Sequence, residues 1–408
     1  MLTTPPDSLR SLLGRNTGAA LLHLDQYCQN MASSPDSPSI AELTADPHAA
    51  WAALRSPSGV AWVEALGGWV VTGHARAIEV MRDASTFTVD DPRFTTSQVI
   101  GRSMLSADGA DHDRFRQPFV GPFSLPSTRE RFTDFVDTEV DRLVSALLPQ
   151  GQAEFRTTLA APLAVACMAQ ALGLQGVAVA DLLGWYEGIV AAVSGITAGA
   201  AVSASGRAAY ACLAEAIEAT IEQSITASAT QLTMEETLSN TAVLLFGGIE
   251  TTEAMVANVV HHLLSIPHML ALVRTHPELI DAVIDESLRM EPAAAEVDRY
   301  VTRDVAVGDI SMRAGDLVVV SLAAANRDPE VFNHPDTFNP TRANVRRHLA
   351  FAQGPHTCLG SHLARMETRS ALTAVLAIPE LHWDEVRSTA PVGLVFRKPS
   401  AIWGTWPV

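Results

Sequence analysis

The spacing of apolar and polar positions is helical over most of the chain. From Ala49 onward helical patterns dominate, and two regions read as strands instead. The first is a β-hairpin, Val60–Val63 and Trp69–Thr72 on either side of Gly67-Gly68. The second runs from Tyr300 to Ser321, punctuated by Gly308-Asp309 and Gly315-Asp316. The expected fold class is mainly α with a small β-sheet part.

Two helices matter most. T-M-E-E at Thr233 places Glu236 three residues after a threonine cap, a capping box, and nothing stops the helix before Pro267. A helix from Thr233 to Ile266 would be roughly 50 Å long, enough to cross a domain. Its middle nevertheless holds Gly247-Gly248 and Thr251-Thr252, residues that cost up to about 1 kcal/mol each inside a helix. Such a local conflict in a buried element marks function; the plain alternative is a kinked core helix. The second helix, Pro277–Met290, puts Ile280, Val283, Ile284 and Ser287 on one face. Glu286 and Arg289 lie three apart on the opposite side, where a solvated pair is the ordinary expectation.

Composition narrows the class. Of 408 residues 48% are hydrophobic and 18% charged, ample for a large core and unlike a disordered chain. The balance of 45 acidic against 28 basic residues, a net charge of −17, argues against nucleic acid as partner and against a polybasic membrane anchor. Thr157–Ala180 and Gly188–Gly206 are uncharged, but Pro162, Gly173 and Gly176 break the first, and the second is rich in Gly and Ser. Neither is expected to span a membrane. The N-terminal MLTTPPDSLR lacks the pattern of a secretory signal, and a cytoplasmic location is expected. The Ser/Pro cluster Ser33–Ser39 suggests an N-terminal arm, residues 1–45, ahead of one body at 46–408.

Cys28, Cys167, Cys212 and Cys358 are widely spaced without a CxxC pair, so no disulfide framework is expected. The default for each is a small buried hydrophobe. Cys358 differs: it follows Gly354-Pro355, precedes Gly360 and opens an amphipathic helix carrying Leu363, Met366, Ala371 and Leu372. A sulfur at a helix N-terminus meets free N–H groups and the positive end of the dipole, which favour thiolate and offer a soft ligand on a rigid support. A structural cysteine is the plain alternative. Zinc on Cys358, His356 and His362 is a third reading, weakened by three ligands crowded within seven residues.

The run F-A-Q-G-P-H-T-C-L-G resembles the cysteine-ligand loop of the cytochrome P-450 family of haem-thiolate monooxygenases, usually F-G-x-G-x-H-x-C-x-G. Phe351, Gly354, His356, Cys358 and Gly360 match, and Ala352 replaces the first glycine. Other family motifs follow in order across roughly residues 46–400. The resemblance implies the P-450 fold, with the long central helix over haem b, and Cys358 as proximal ligand, where an anionic sulfur favours O–O cleavage. It implies Phe351 packed near that sulfur, and Glu250 with Thr251 as the acid–alcohol pair that delivers protons. Gly248 would give a small oxygen ligand access to the backbone. His112, Arg116, Arg299 and His356 would meet the haem propionates. Glu286, Arg289 and Arg342 stand at the family's structural E-x-x-R triad.

Pocket walls are expected by the same resemblance from the 87–105 loop, the 160–205 region, Leu244, Leu245, Ile249, Ala294, Ala295, Val297, Val395 and Phe396. Their apolar character suggests a hydrophobic small-molecule substrate, with Glu296 turned to solvent. No dinucleotide fingerprint or P-loop occurs, so electrons would come from outside; the resemblance implies a ferredoxin and ferredoxin reductase as donors, docked by Arg346, Arg347 and Arg114. The implied activity is O2-dependent oxidation of a metabolite in specialised biosynthesis by a monomer. The alternatives are a peroxygenase using hydrogen peroxide and a non-catalytic haem sensor or carrier.

Overall fold

The computed structural model describes residues 37–197, 200–220 and 231–408. Cys28 and most of the Ser33–Ser39 cluster lie outside the described residues. The Thr233 capping box is formed: the hydroxyl accepts from the Glu236 N–H at 3.2 Å, and the Glu236 carboxylate accepts from the Thr233 N–H at 2.9 Å. From that cap the central helix runs over Met234–Ser265. It packs against helices Ala161–Leu172, Ala204–Thr220, Ile280–Met290 and Ser361–Ala377. By length and composition it alone among the described residues could cross a bilayer, yet 78% of its apolar window is buried inside the protein.

The β part is built as the alternation predicts. Val60–Val63 and Gly68–Val71 form the hairpin, joined through a 3-10 turn and a left-handed Gly67 at φ 59°. The second hairpin strand runs parallel to Leu317–Ser321, which pairs antiparallel with Glu296–Val301, and Phe87–Thr88 completes the five-stranded sheet. Because side chains alternate along a strand, Val297 and Arg299 share one face of Glu296–Val301, and Glu296 and Asp298 share the other. Near the C-terminus Pro391–Val392 pairs with Lys398–Pro399. The helix Ile40–Ala45 joins the body through Leu43, 0% exposed, and through the Gly393 N–H donated to the Thr44 carbonyl at 2.8 Å.

Three expectations are corrected. Pro277–Leu279 is a 3-10 turn, and the helix proper is Ile280–Met290. Its Glu286–Arg289 pair is the buried structural pair that the family resemblance implies rather than a solvated face: both side chains are 0% exposed, in a bidentate contact at 2.7 and 2.8 Å. The segment Asn326–Arg342 folds over that face. It brings Arg342 to 3.4 Å from Glu286, the Asn339 N–H to the same carboxylate at 2.8 Å, and Phe332 beneath both guanidinium groups. Helical spacing registers one apolar face and is blind to a second face covered by distant chain. Glu296 is likewise buried rather than turned to solvent; burial, then Asp298, pushes its carboxyl well up, with Arg397 opposing. Finally Cys167 is fully buried as expected, but Cys212 is exposed on the helix Ala204–Thr220.

Candidate active site between the cysteine loop and the central helix

Cys358 stands where a tight loop enters the helix Ser361–Ala377. Its N–H donates to the Phe351 carbonyl at 2.9 Å, and the Thr357 N–H and hydroxyl both donate to the Gly354 carbonyl. Gly354 has φ 77°, and a Cβ there would lie 2.4 Å from the Met81 carbonyl oxygen, so this turn requires glycine. Ala352, in place of the family's usual first glycine, is held at φ 55°, a left-handed conformation strained for a residue with a Cβ.

The Cys358 side chain is accessible, yet it lies deep enough that burial pushes its thiol above the usual range. Accessible and deep together describe a side chain lining an internal cleft. The N–H groups of Gly360 and Ser361 and the charge of Arg116 favour thiolate, as the helix N-terminus predicts, but burial outweighs them. The loop by itself therefore does not stabilise a free thiolate. A cation bound to the sulfur would supply what is missing.

The central helix, buried over most of its middle, is open along one stripe. Leu244, Gly247 and Thr251 are accessible at mid-helix, and a Cβ added at Gly247 would meet nothing within 4 Å. The Thr251 hydroxyl donates back to the Gly247 carbonyl at 2.5 Å, a bond that competes with the helix ladder and opens a local groove. Gly248 plays another part. A Cβ there would sit 2.2 Å from Met168 Sδ, so this glycine is the notch into which the helix Ala161–Leu172 packs. The glycine facing the cleft is Gly247. Leu245 and Ile249 are also displaced from their expected role, since they are 1% and 0% exposed within the main core.

Glu250 is buried beside this stripe and does not touch Thr251. Its carboxylate meets Lys398 Nζ at 2.8 Å; the same ammonium lies 2.9 Å from Glu253, which also pairs with Arg156 at 2.7 Å. Lys398, Glu253 and Arg156 escape the sequence reading. The available signal was the i,i+3 repeat of carboxylates in E-T-T-E.

The basic residues do converge. The His112 and His356 rings lie 4.5 Å apart, and His356 Nε2 meets Asp108 at 2.8 Å. Arg116 donates to the carbonyl of Thr357, next to the cysteine, at 2.5 Å. Burial raises the Asp108 carboxyl, but hydrogen bonds from His356, Thr88 and the Val89 N–H overcome it and hold it at about 2. Arg299 is 3% exposed and hydrogen-bonded to the Asp298 carbonyl. His112 Nε2 is buried with no hydrogen-bond partner. A buried ring nitrogen without a partner, beside guanidinium groups held by main-chain carbonyls, is a donor set suited to an anionic group. The carboxylates of a haem fit it, with Cys358 as the soft ligand. Zinc does not: among the described residues no three His, Cys, Asp or Glu side chains are grouped to hold a metal.

Of the predicted pocket, Ala294 bridges Phe396, and the Ala295 N–H donates to the Val395 carbonyl at 2.8 Å. Val297 is half-buried, Ala295 buried and Val395 exposed. Phe396 stands edge-on to Phe246 at 5.7 Å, and Phe246 lies 6.5 Å from Tyr186. Phe246 and Tyr186 carry this aromatic contact into the main core.

A cytochrome P450 family model matches residues 205–392. The chain is 31% identical over 368 residues to the cytochrome P450 monooxygenase PikC of Streptomyces venezuelae, spanning 84% of this chain and 86% of that one. It is 31% identical over 391 residues to nocardicin C N-oxygenase of Nocardia uniformis subsp. tsuyamanensis, spanning 88% and 96%. Among solved structures, P450BioI in complex with hexadec-9Z-enoic acid ligated acyl carrier protein is similar with a TM-score of 0.80 and 26% identity, covering 90% of this chain and 100% of that one. HmtN, a post-tailoring hydroxylase involved in himastatin biosynthesis, is similar with a TM-score of 0.77 and 28% identity, covering 89% and 98%.

Two expected outcomes follow from the backbone. Ala352→Gly relieves the left-handed strain and should raise stability by about 1 kcal/mol, read by urea denaturation; an unchanged or lowered midpoint would refute the strain. The two central glycines should respond oppositely. Gly248→Ala should cost about 1–3 kcal/mol by overpacking against Met168, whereas Gly247→Ala should leave the melting temperature unchanged or slightly higher, since alanine favours a helix by up to about 1 kcal/mol.

Proposed function

This chain belongs to the cytochrome P450 family of monooxygenases, and from that premise we propose that it activates O2 at a Cys358-ligated haem b to oxidise a hydrophobic small molecule. The observation that carries the reading is the meeting of Cys358, accessible and deep, with a buried cationic set in which His112 Nε2 lacks a partner. The chemistry that bound haem supplies is the reductive activation of O2. Cys358 is its proximal ligand on this reading, and Phe351, half-buried under the Arg365 guanidinium at 5.1 Å, shields the sulfur. His112, Arg116, Arg299 and His356 bind the propionates. Gly360 contributes the N–H that hydrogen-bonds the sulfur. Gly247, rather than Gly248, keeps the opposite wall clear of side chain, while Thr251 lines the groove it opens. Glu250 carries protons toward that groove from solvent.

Leu244, Ala294, Val297, Phe396 and Phe246 form an apolar wall that fits a hydrophobic substrate. The printed roles of nocardicin C N-oxygenase and HmtN support a place in secondary-metabolite tailoring. Residues 46–408 are read as one haem domain, monomeric and cytoplasmic, consistent with the near-complete span of its relatives. A peroxygenase needs no proton relay, so a buried acid directly before Thr251 in the chain, Glu250, favours the O2-using reaction.

The electron donor is proposed to be a ferredoxin, reduced by its reductase, docking near the cysteine loop. Arg346 and Arg347 are exposed there, and Arg82 joins them through its bond to Gln353. Arg114 is withdrawn from that patch because Glu236 binds it bidentately at 2.7 and 2.8 Å.

In the reduced, CO-bound protein a strongly red-shifted Soret band is expected and should be lost in Cys358→Ala; a colourless protein, or an unshifted band, would overturn the reading. Replacing Arg346 and Arg347 together by Glu should slow reduction by ferredoxin by tenfold or more, about 1.4 kcal/mol, and unchanged stopped-flow kinetics would remove the docking site.

A further inference from the structure

The C-terminal residues Phe396–Pro399, with Phe396 bridged to Ala294 and Lys398–Pro399 in a short strand, pack against the central helix, so alternate residues face it. Phe396 packs on Phe246, and two residues on, Lys398 pairs with Glu250 and Glu253. Positions 246, 250 and 253 form one i, i+4, i+7 stripe of the helix, adjacent to the open stripe of Gly247 and Thr251. Arg397, between them, turns the other way. It is 1% exposed and fastened to Glu291 and to the carbonyls of Thr44, Gly393 and Pro391. Its own carbonyl and that of Glu291 both accept from the Asn258 amide at 3.0 Å. Lys398 is therefore delivered to Glu250 by a backbone with little freedom.

The ion pairs make a chain from the buried middle of the helix outward. Glu250 and Glu253 have side chains 8% and 4% exposed, whereas Lys398 and Arg156 are 21% and 26% exposed. Glu250 has one cation, Lys398; Glu253 has two. The Glu250 carboxylate is thus held on the Lys398 side while the Thr251 hydroxyl is turned to the Gly247 carbonyl.

We propose that Lys398 is a positioning residue for Glu250: its solvent-reaching ammonium holds the carboxylate at the outer end of the proton path and sets when Glu250 serves Thr251. This rests on the monooxygenase reading above. In that reaction one oxygen atom enters the substrate and the other leaves as water, with two electrons from the donor and two protons from solvent. A proton arriving beside Lys398 passes to Glu250 and on to the Thr251 groove. Where proton supply falters, the same two electrons and two protons leave as hydrogen peroxide instead of product and water. Because Phe396 is fastened to the same segment, the pocket wall and the proton carboxylate are joined mechanically.

The test uses the haem-loaded full chain with Lys398→Met, Lys398→Arg, Glu250→Gln and the Lys398→Met/Glu250→Gln double variant. Lys398→Met should raise peroxide released per electron pair severalfold, with the CO-bound spectrum and the substrate-induced spin shift unchanged, and Lys398→Arg should restore coupling. In the Glu250→Gln background Lys398→Met should add nothing. Melting temperatures of the same four proteins form a double-mutant cycle that needs no turnover: the loss on Lys398→Met should shrink when Glu250 is already Gln. Additive melting shifts, or wild-type coupling in Lys398→Met, would overturn the proposal. A wild-type protein lacking the thiolate–haem band would instead sink the monooxygenase reading, and the melting cycle would still decide the Lys398–Glu250 link.

Discussion

The central helix has to be core and site wall at once. Over Met234–Ser265 it is packed by other helices on several sides, so most directions around it are taken by apolar contact, the main stabilising term of the fold. At one level, between Leu244 and Thr251, it gives up side-chain volume, and the Thr251 hydroxyl joins the bonds made to the Gly247 carbonyl. That concession organises its surroundings. The cysteine loop must be held opposite the gap, and the basic residues must be gathered beside it. The long capped helix has to remain rigid on both sides of the weakness.

Rigidity opposite the gap comes from buried charge. Glu286 and Arg289 are sealed from water and satisfied by Arg342, the Asn339 N–H and the carbonyls of Asn326 and Pro335. A buried ion pair is weak evidence for stability, because its desolvation is expensive, but its geometry is unforgiving. Here it fixes the route of the chain from Asn326 to Arg342, the run that leads into the cysteine loop. The smaller network of Asp108, His356 and Thr88 does the same for the basic side of the cleft.

Much of this was legible in the sequence, for physical reasons. The capping box, the hairpin and the glycine-bearing turn before Cys358 are local: their causes lie within a few residues. The fold class followed from periodicity. What the sequence could not show is which of two adjacent glycines faces the cleft, since Gly247 and Gly248 differ by only 100° of helix rotation and the choice is made by Met168, some 80 residues away. Leu245 and Ile249 were misplaced for the same reason. Glu296 was assigned to water because covering segments are invisible to strand spacing, and the burial of Arg289 was readable only through the family resemblance. Lys398, in a short C-terminal strand, carries no motif and is found by its distance to Glu250 alone.

The notch at Gly248 has one more consequence. Met168 occupies the space of the missing Cβ, so the helix Ala161–Leu172 and the central helix are indexed against each other like a key in a slot. A shift of one residue, about 1.5 Å, would set Met168 against Ile249 or expose the notch to nothing. The register of the two helices is thereby tied to a methionine that packs on the flank next to the one where the Thr251 hydroxyl meets the Gly247 carbonyl.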